Sequence, residues 1–337
     1  MLRDRLLNLI GPLPEKVDLD PKILEESDCK TFIRKKVEYS VEGGERVKAY
    51  LCHPRDVSVP KPAIFCHHQH DGNWVIGKSE PAGLIGSADM FYAKELAERG
   101  FVTITPDSLG FEERNTNPYA GIDILNAYAH EDEFIHRLLV GYTLFAKAWH
   151  DISIAIDYVQ SLEFVEKEKV GFIGHSFGGY MALFIPAFEQ RIKAAVSNCG
   201  SFTFRNSIDG GYSVIKELCI PGIANTCDVD EVVGLIAPRS LLISTTKNDS
   251  WSNSAELIFD TAKDAFPDSN LELKVHDADG HVFTKEMRNY AYNFLDTHLN
   301  KPSSIKEGSS AENEIKSLAP GKPKLDVPPP PSVSSIK

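Results

Sequence analysis

No run in the chain approaches the ~18 uncharged apolar residues needed for a helix to cross a membrane. Nor is there an excess of positive charge. Lys and Arg number 36 against 48 Asp and Glu, a net charge of −12. A general nucleic-acid role needs a basic surface, so none is expected. The first ten residues, Met1 to Ile10, are amphipathic and charged, without the apolar core or small-residue cleavage site of a secretion signal. Six cysteines (Cys29, Cys52, Cys66, Cys199, Cys219, Cys227) lack paired spacing. They read as buried free thiols in a reducing, cytoplasmic setting. A Cys219–Cys227 disulfide would need an oxidising one. There is no internal repeat.

What is there is an ordinary globular composition, 42% hydrophobic and 25% charged over 337 residues, enough for one large α/β domain. Residues 1–30 read as a helical N-terminal segment, broken by Gly11-Pro12-Leu13-Pro14. Thr31 to Val41 and Arg46 to His53 flank the turn Glu42-Gly43-Gly44-Glu45 as an antiparallel hairpin. Buried strands follow at Pro62–Cys66, Gly100–Asp107, Val170–Ile173, Ile192–Ser197, Ser240–Ser244 and Leu271–Val275. Helical stretches fall between them, at Phe91–Arg99, at Asp132–Gln160 with an interruption near Gly141, and at Ala255–Ala265. Thr284–Leu299 is the last helix. This alternation predicts an α/β fold, a mostly parallel twisted sheet with helices on both faces. The domain spans 31–300, with 201–236 as a cap-like insertion. From 301 to 337 the composition turns to Ser, Pro, Lys and Glu, which buries no core and reads as a disordered tail with a polyproline patch.

The stretch Gly174-His175-Ser176-Phe177-Gly178 lies between a buried strand and a helix-compatible run. It reads as a nucleophile elbow, a sharp turn that exposes the Ser176 hydroxyl above the sheet. Glycines two residues to either side avoid collision with neighbouring backbone. A serine hydroxyl needs a base to take its proton, and the base needs an orienting acid. Asp249 follows the strand 240–244 and supplies the acid. His281 lies in the loop after the last strand and supplies the base. His276 is the rival base, closer to the strand, and reads as a core histidine. Asp277 and Asp279 read as turn formers.

A tetrahedral oxyanion needs N–H donors. One is expected from Phe177, the other from Gln69 or His70 in the loop after Cys66. His67, His68, His70 and Asp71 also suggest a metal site. Adjacent histidines at a strand end are expected to point to opposite sides, and no further ligands accompany them at metal spacing, so none is assigned. The insertion carries Phe202, Phe204, Tyr212, Ile220, Pro221 and Ile223. Tyr212 and Ile220 are the candidate substrate-binding residues in an apolar wall over the site.

Together these residues resemble the α/β-hydrolase superfamily, in its dienelactone-hydrolase-like and acetyl-xylan-esterase-like branch, over about residues 30–300. The resemblance rests on the elbow, His68-Gln69-His70-Asp71-Gly72, Gly77-Lys78-Ser79-Glu80-Pro81, and Pro106-Asp107 with Phe111-Glu112-Glu113-Arg114. It also rests on Ala237-Pro238-Arg239 and the Asp249 and His281 positions. Gln69 stands where a glycine is common, and the nucleophile is serine where dienelactone hydrolases use cysteine. The resemblance implies a serine hydrolase acting on a small-molecule carboxylic ester, with no cofactor. A peptidase or thioesterase of the same fold, and a non-catalytic scaffold holding a partner, are the alternatives.

Overall fold

The computed structural model describes residues 1–70, 72–115, 123–210, 214–267 and 269–300; the side chains of 123–129 are outside it as well. Tyr212 and the proposed tail therefore lie outside the described residues. No described helix is long and apolar enough to cross a membrane.

Among the described residues nine strands form one sheet: β1 (Lys22–Asp28), β2 (Phe32–Ser40), β3 (Arg46–Pro54), β4 (Lys61–His67), β5 (Val102–Pro106), β6 (Val165–His175), β7 (Ile192–Asn198), β8 (Ser240–Thr246) and β9 (Leu271–His276). Their order across the sheet is β1-β2-β3-β5-β4-β6-β7-β8-β9. The first four in that order pair antiparallel, and β5 through β9 pair parallel. Parallel strands are apolar on both faces because helices cover both. Ala63 and Phe65 of β4, Phe172 of β6 and Ala195 of β7 join one core. Their neighbours Ile64, Cys66, Ile173 and Val196 join the other. The first core packs under α4 (Leu144–Ser161) and α5 (Phe177–Phe188), the second under α2 (Tyr92–Glu98) and α9 (Lys285–Asn300).

The remaining helices are α1 (Leu2–Ile10), α3 (Asp123–Leu139), α6 (Phe204–Gly210), α7 (Val229–Gly234) and α8 (Ala255–Ala262). The predicted break falls at Gly141, whose φ of +83° suits the turn between α3 and α4. One expectation is corrected. Residues 22–28 are not helical; they form the edge strand β1. Lys-Ile-Leu-Glu-Glu carries good helix formers, but Glu25 and Glu26 lie opposite Lys36 and Lys35 of β2, and Glu26 reaches Lys35 at 3.3 Å. Pairing with β2 overrides local propensity. All six cysteines, Cys219 and Cys227 included, are free.

A buried ionic network ties β3 to α4 beneath the sheet's carboxyl edge. Arg114 donates to Glu45 at 2.7 and 2.9 Å, and also to Asp151. Lys147 reaches Glu45 at 2.9 Å and Asp151 at 3.0 Å. Burial alone would raise the Asp151 carboxyl, but Arg114 and Lys147 outweigh it and hold it well below the usual range. Burial opposes and Arg114 prevails at Glu45 too, whose pKa is lowered. Carboxylates with depressed folded-state pKa values stabilise fully above about pH 4.5, and that contribution drains away as pH falls below it. Urea unfolding at a series of pH values is therefore expected to show this network's contribution to the midpoint falling from about pH 4.5 downward. Arg114→Met should lose about 3 kcal/mol at pH 6, because the buried Asp151 keeps only Lys147 as its cationic partner. Its midpoint should also fall less steeply with acid; an equally steep fall would place the acid sensitivity elsewhere.

Candidate active site

Strand β6 ends at His175 and α5 begins at Phe177. Between them Ser176 has φ +56° and ψ −113°, a strained geometry for a side-chain-bearing residue. Its N–H donates to Asn198 O of β7 at 2.9 Å, and its carbonyl accepts from Tyr180 N at 2.9 Å. A Cβ at Gly174 would lie 2.3 Å from the Gly178 carbonyl carbon, and one at Gly178 would lie 2.4 Å from His67 O. The backbones approach this closely only because both positions are glycine.

Asp249 follows β8 and its carboxylate is buried. It caps the next turn by accepting from Trp251 N at 3.0 Å. His281 follows β9, and its Nδ1 lies 2.9 and 3.0 Å from the two Asp249 carboxylate oxygens. The two loops are tied together by Thr246 Oγ1 donating to Gly280 O at 2.5 Å and by Asn248 Nδ2 donating to Asp279 at 2.8 Å. The His281 ring also packs against His175, centroids 4.7 Å apart. Burial holds the His175 pKa well below its ordinary value, so a neutral ring lies beside His281. His276 is 3% exposed, with both ring nitrogens buried and unpartnered, and its ring sits edge-on to Tyr290 at 5.6 Å. The structure thus brings His281, and not His276, to Asp249.

A cavity of about 360 Å³ lies over the elbow. Ser176, Phe177 and His281 border it, as do His70, Gly72 and Trp74 from the loop after β4. Phe111, Tyr180 and Trp251 add aromatic walls, and His130 and residues 214–217 close the far side. The insertion 201–236 does contribute a wall, but through Val214 and Ile215. Ile220 is 3% exposed and sits in the main core, not on this cavity. The short turn Lys216–Leu218 rotates the chain, so Leu218 and Ile220 face inward.

The loop after β4 differs from expectation in one respect. His67 and His68 do not point to opposite sides: both approach Ser108. His68 Nε2 accepts from Ser108 N at 3.0 Å and His67 Nε2 lies 3.5 Å from Ser108 Oγ. Each Nδ1 turns back to the next carbonyl, His67 to His68 O at 2.9 Å and His68 to Gln69 O at 2.7 Å. These local bonds swing both rings away from strand alternation. Burial pushes His67 down to about 4 and His68 well below its usual value, so both are neutral. The Gln69 side chain donates to Glu80 at 2.9 Å, which turns it away from the cavity's lining. The His70 ring lines the cavity, accepts from Gly72 N at 2.9 Å and sits edge-on to Trp74 at 4.3 Å. Phe177 N belongs to the first turn of α5, where N–H groups have no intrahelical partner.

Behind this loop, the motifs around Gly77-Lys78-Ser79, Asp107 and Glu112-Glu113 form one cluster. The fully buried Lys78 ammonium lies 2.8 Å from Asp107, 2.6 Å from Glu112 and 2.7 Å from Glu113. Asp107 and Glu112 also accept from the backbone N–H groups of Gly77, Lys78 and Ser79 at 2.8–3.1 Å. Burial pushes Asp107 up to about 7. Burial would raise Glu113 as well, but donors from Lys78, Lys48 and Lys36 hold it at about 2. Among the described residues two groups place potential metal-ligand atoms within 4.8 Å of one another, Asp107/Glu112/Glu113 and Cys199/Asp249/His281. Lys78 already occupies the centre of the first, and the His281–Asp249 bond uses the second.

The acetyl xylan esterase (AXE1) family model matches residues 13–203, more than half of the chain. The chain belongs to the acetyl xylan esterase (AXE1) family. Accordingly this AXE1-family chain is a carboxylic ester hydrolase with an α/β-hydrolase-like fold. The model for the C-terminal region of BAAT / acyl-CoA thioester hydrolases matches residues 153–302. YtaP of Bacillus subtilis (strain 168) is 27% identical over 314 residues, covering 88% of this chain and 98% of that one. Among solved structures, a glucuronoyl esterase from Solibacter usitatus superposes with a TM-score of 0.60 at 16% identity, over 88% of this chain and 92% of that one. An acetyl xylan esterase from Paenibacillus sp. R4 gives 0.57 at 17%, over 88% and 93%. These two share the fold.

Sequence reasoning missed His130, Glu217, Trp74, Tyr180 and Trp251. His130 and Glu217 are 87 residues apart, and no local spacing signals such a pair.

Proposed function

We propose that the chain is a serine esterase acting on small-molecule carboxylic esters through an acyl-enzyme. The observation that carries this is the His281 Nδ1–Asp249 bond of 2.9 Å beside the same cavity that Ser176 borders. Ser176 Oγ attacks the acyl carbon while His281 Nε2 takes its proton, and Asp249 holds the imidazolium. The oxyanion is bound by Phe177 N–H and by an N–H of the Gln69–His70 loop. The tetrahedral intermediate expels the alcohol, which receives the proton from His281. Water, deprotonated by His281, then attacks the acyl carbon, releasing the acid and restoring Ser176. No metal or cofactor enters these steps.

The thioester-hydrolase match over 153–302 favours a second reading, cleavage of a thioester by the same residues. Incubation with a fluorophosphonate, followed by peptide mass analysis, tests the shared step. One phosphonyl group on the Ser176 peptide, with simultaneous loss of turnover, is expected. Labelling elsewhere, or none, would refute Ser176 as nucleophile. Parallel assays of 4-nitrophenyl acetate and its thioester analogue separate the two readings.

A further inference from the structure

The cavity contains a second histidine–carboxylate couple that the proposed chemistry does not use. His130 Nε2 lies 2.7 Å from Glu217 Oε1, with side chains 5% and 4% exposed. Both border the same cavity as Ser176. Burial would raise the Glu217 carboxyl, but His130 outweighs it and the group is lowered. At neutral pH Glu217 is therefore a carboxylate, and His130 donates Nε2–H to it.

A buried carboxylate in a cavity walled largely by aromatic and aliphatic side chains needs a reason. Replacing such pairs by apolar residues is often neutral or stabilising, so burial of the pair is weak evidence for a stabilising role. It sits where Trp74, Phe111, Tyr180 and Trp251 supply apolar surface and where polar groups fix ligand orientation. Phe111 lies between the two ends of the cavity, its ring 6.1 Å from His130 and 5.8 Å from Phe177. The His130 ring thus lies across Phe111 from Phe177, where a substituent of the substrate can reach the couple while the ester carbon sits at Ser176. A carboxylate accepts hydrogen bonds and repels anions. Lys216, the neighbouring cation at the rim, is paired with Glu131 at 3.0 Å.

Building on the serine-esterase reading, we propose that His130 and Glu217 form a hydroxyl-recognition subsite that selects uncharged, hydroxyl-bearing esters over apolar or anionic ones. A substrate hydroxyl donates to the Glu217 carboxylate. An ester lacking it covers the carboxylate while supplying no donor beyond His130, which is how a polar pocket disfavours an apolar analogue.

Two ester pairs test this: glycerol monobutyrate against ethyl butyrate, for a hydroxyl on the alcohol side, and methyl 3-hydroxybutyrate against methyl butyrate, for one on the acyl side. Monoethyl succinate supplies the anionic case. The wild-type chain should favour the hydroxylated member of at least one pair by about tenfold or more in kcat/KM, and should disfavour monoethyl succinate. Glu217→Gln and His130→Gln should bring that ratio toward one. Wild-type ratios near one for both pairs overturn the subsite, even with turnover that depends on Ser176, and leave the esterase reading standing. Equal losses on every ester in both variants, with the wild-type ratio preserved and a lower melting temperature, also overturn it, because the couple would then only fasten residues 214–217 to α3. Turnover that persists in Ser176→Ala refutes the esterase reading, and the subsite with it.

Discussion

Ser176→Ala is expected to lower ester turnover by about 10⁴–10⁶-fold, the range seen when a serine nucleophile is removed from a working triad. The loss should appear in kcat, because the missing oxygen forms the bond that the chemical step requires. Stability should barely move. The strain at φ +56° is a property of the backbone and persists with alanine. The hydroxyl faces a cavity, so little packing is lost. A shift of under ~1 kcal/mol, about 1–2 °C in Tm for a chain of this size, is the expected cost. Turnover retained in a preparation free of wild-type chain would remove Ser176 from the mechanism.

The second large effect separates two histidines five residues apart. His281→Ala should lower kcat by about 10³–10⁶-fold, since Asp249 is left with no imidazole to orient. His276→Ala should reduce activity far less and act on stability instead. Its ring is buried against Tyr290 with both nitrogens unpartnered. Burial already pushes its pKa below the ordinary value, so at neutral pH the substitution removes a neutral ring and no charge. Steady-state kinetics and thermal melts of the two variants decide the matter: a large kcat loss in His276→Ala, with His281→Ala active, reverses the assignment.

Much of this site is legible in the sequence because its constraints are local. Gly174 and Gly178 can be read as spacing around a serine, since each must admit backbone at 2.3–2.4 Å. Asp249 and His281 can be read from chain order, because each follows a strand that the apolar pattern marks. The cavity wall is not legible in this way. Val214 and Ile215 face it while Ile220 does not, and only the turn at Lys216–Leu218 decides which side chains face inward. The histidines after β4 deceive for a related reason. Side-chain-to-carbonyl bonds one residue along, at 2.7–2.9 Å, set their direction in place of strand alternation. Strand β1 is hidden because a fully exposed edge strand carries no burial pattern, and its charges make sense only opposite Lys35 and Lys36.

The order of strands across the sheet also governs when activity can first appear during synthesis. Ser176 leaves the ribosome long before Asp249, which follows β8, and His281, which follows β9, the last of the described strands to be made. Helix α9 comes later still, and its Leu295 and Leu299 seal Gly171 on the strand that carries the elbow. Beyond the antiparallel strands β1 to β3, parallel pairing offers no local hairpin to hold β4 to β8 in register meanwhile. On the serine-esterase reading, a nascent chain therefore carries Ser176 without its base until residues near 300 emerge and β9 pairs with β8. On that reading, hydrolytic competence waits on the crossover from β8 to β9.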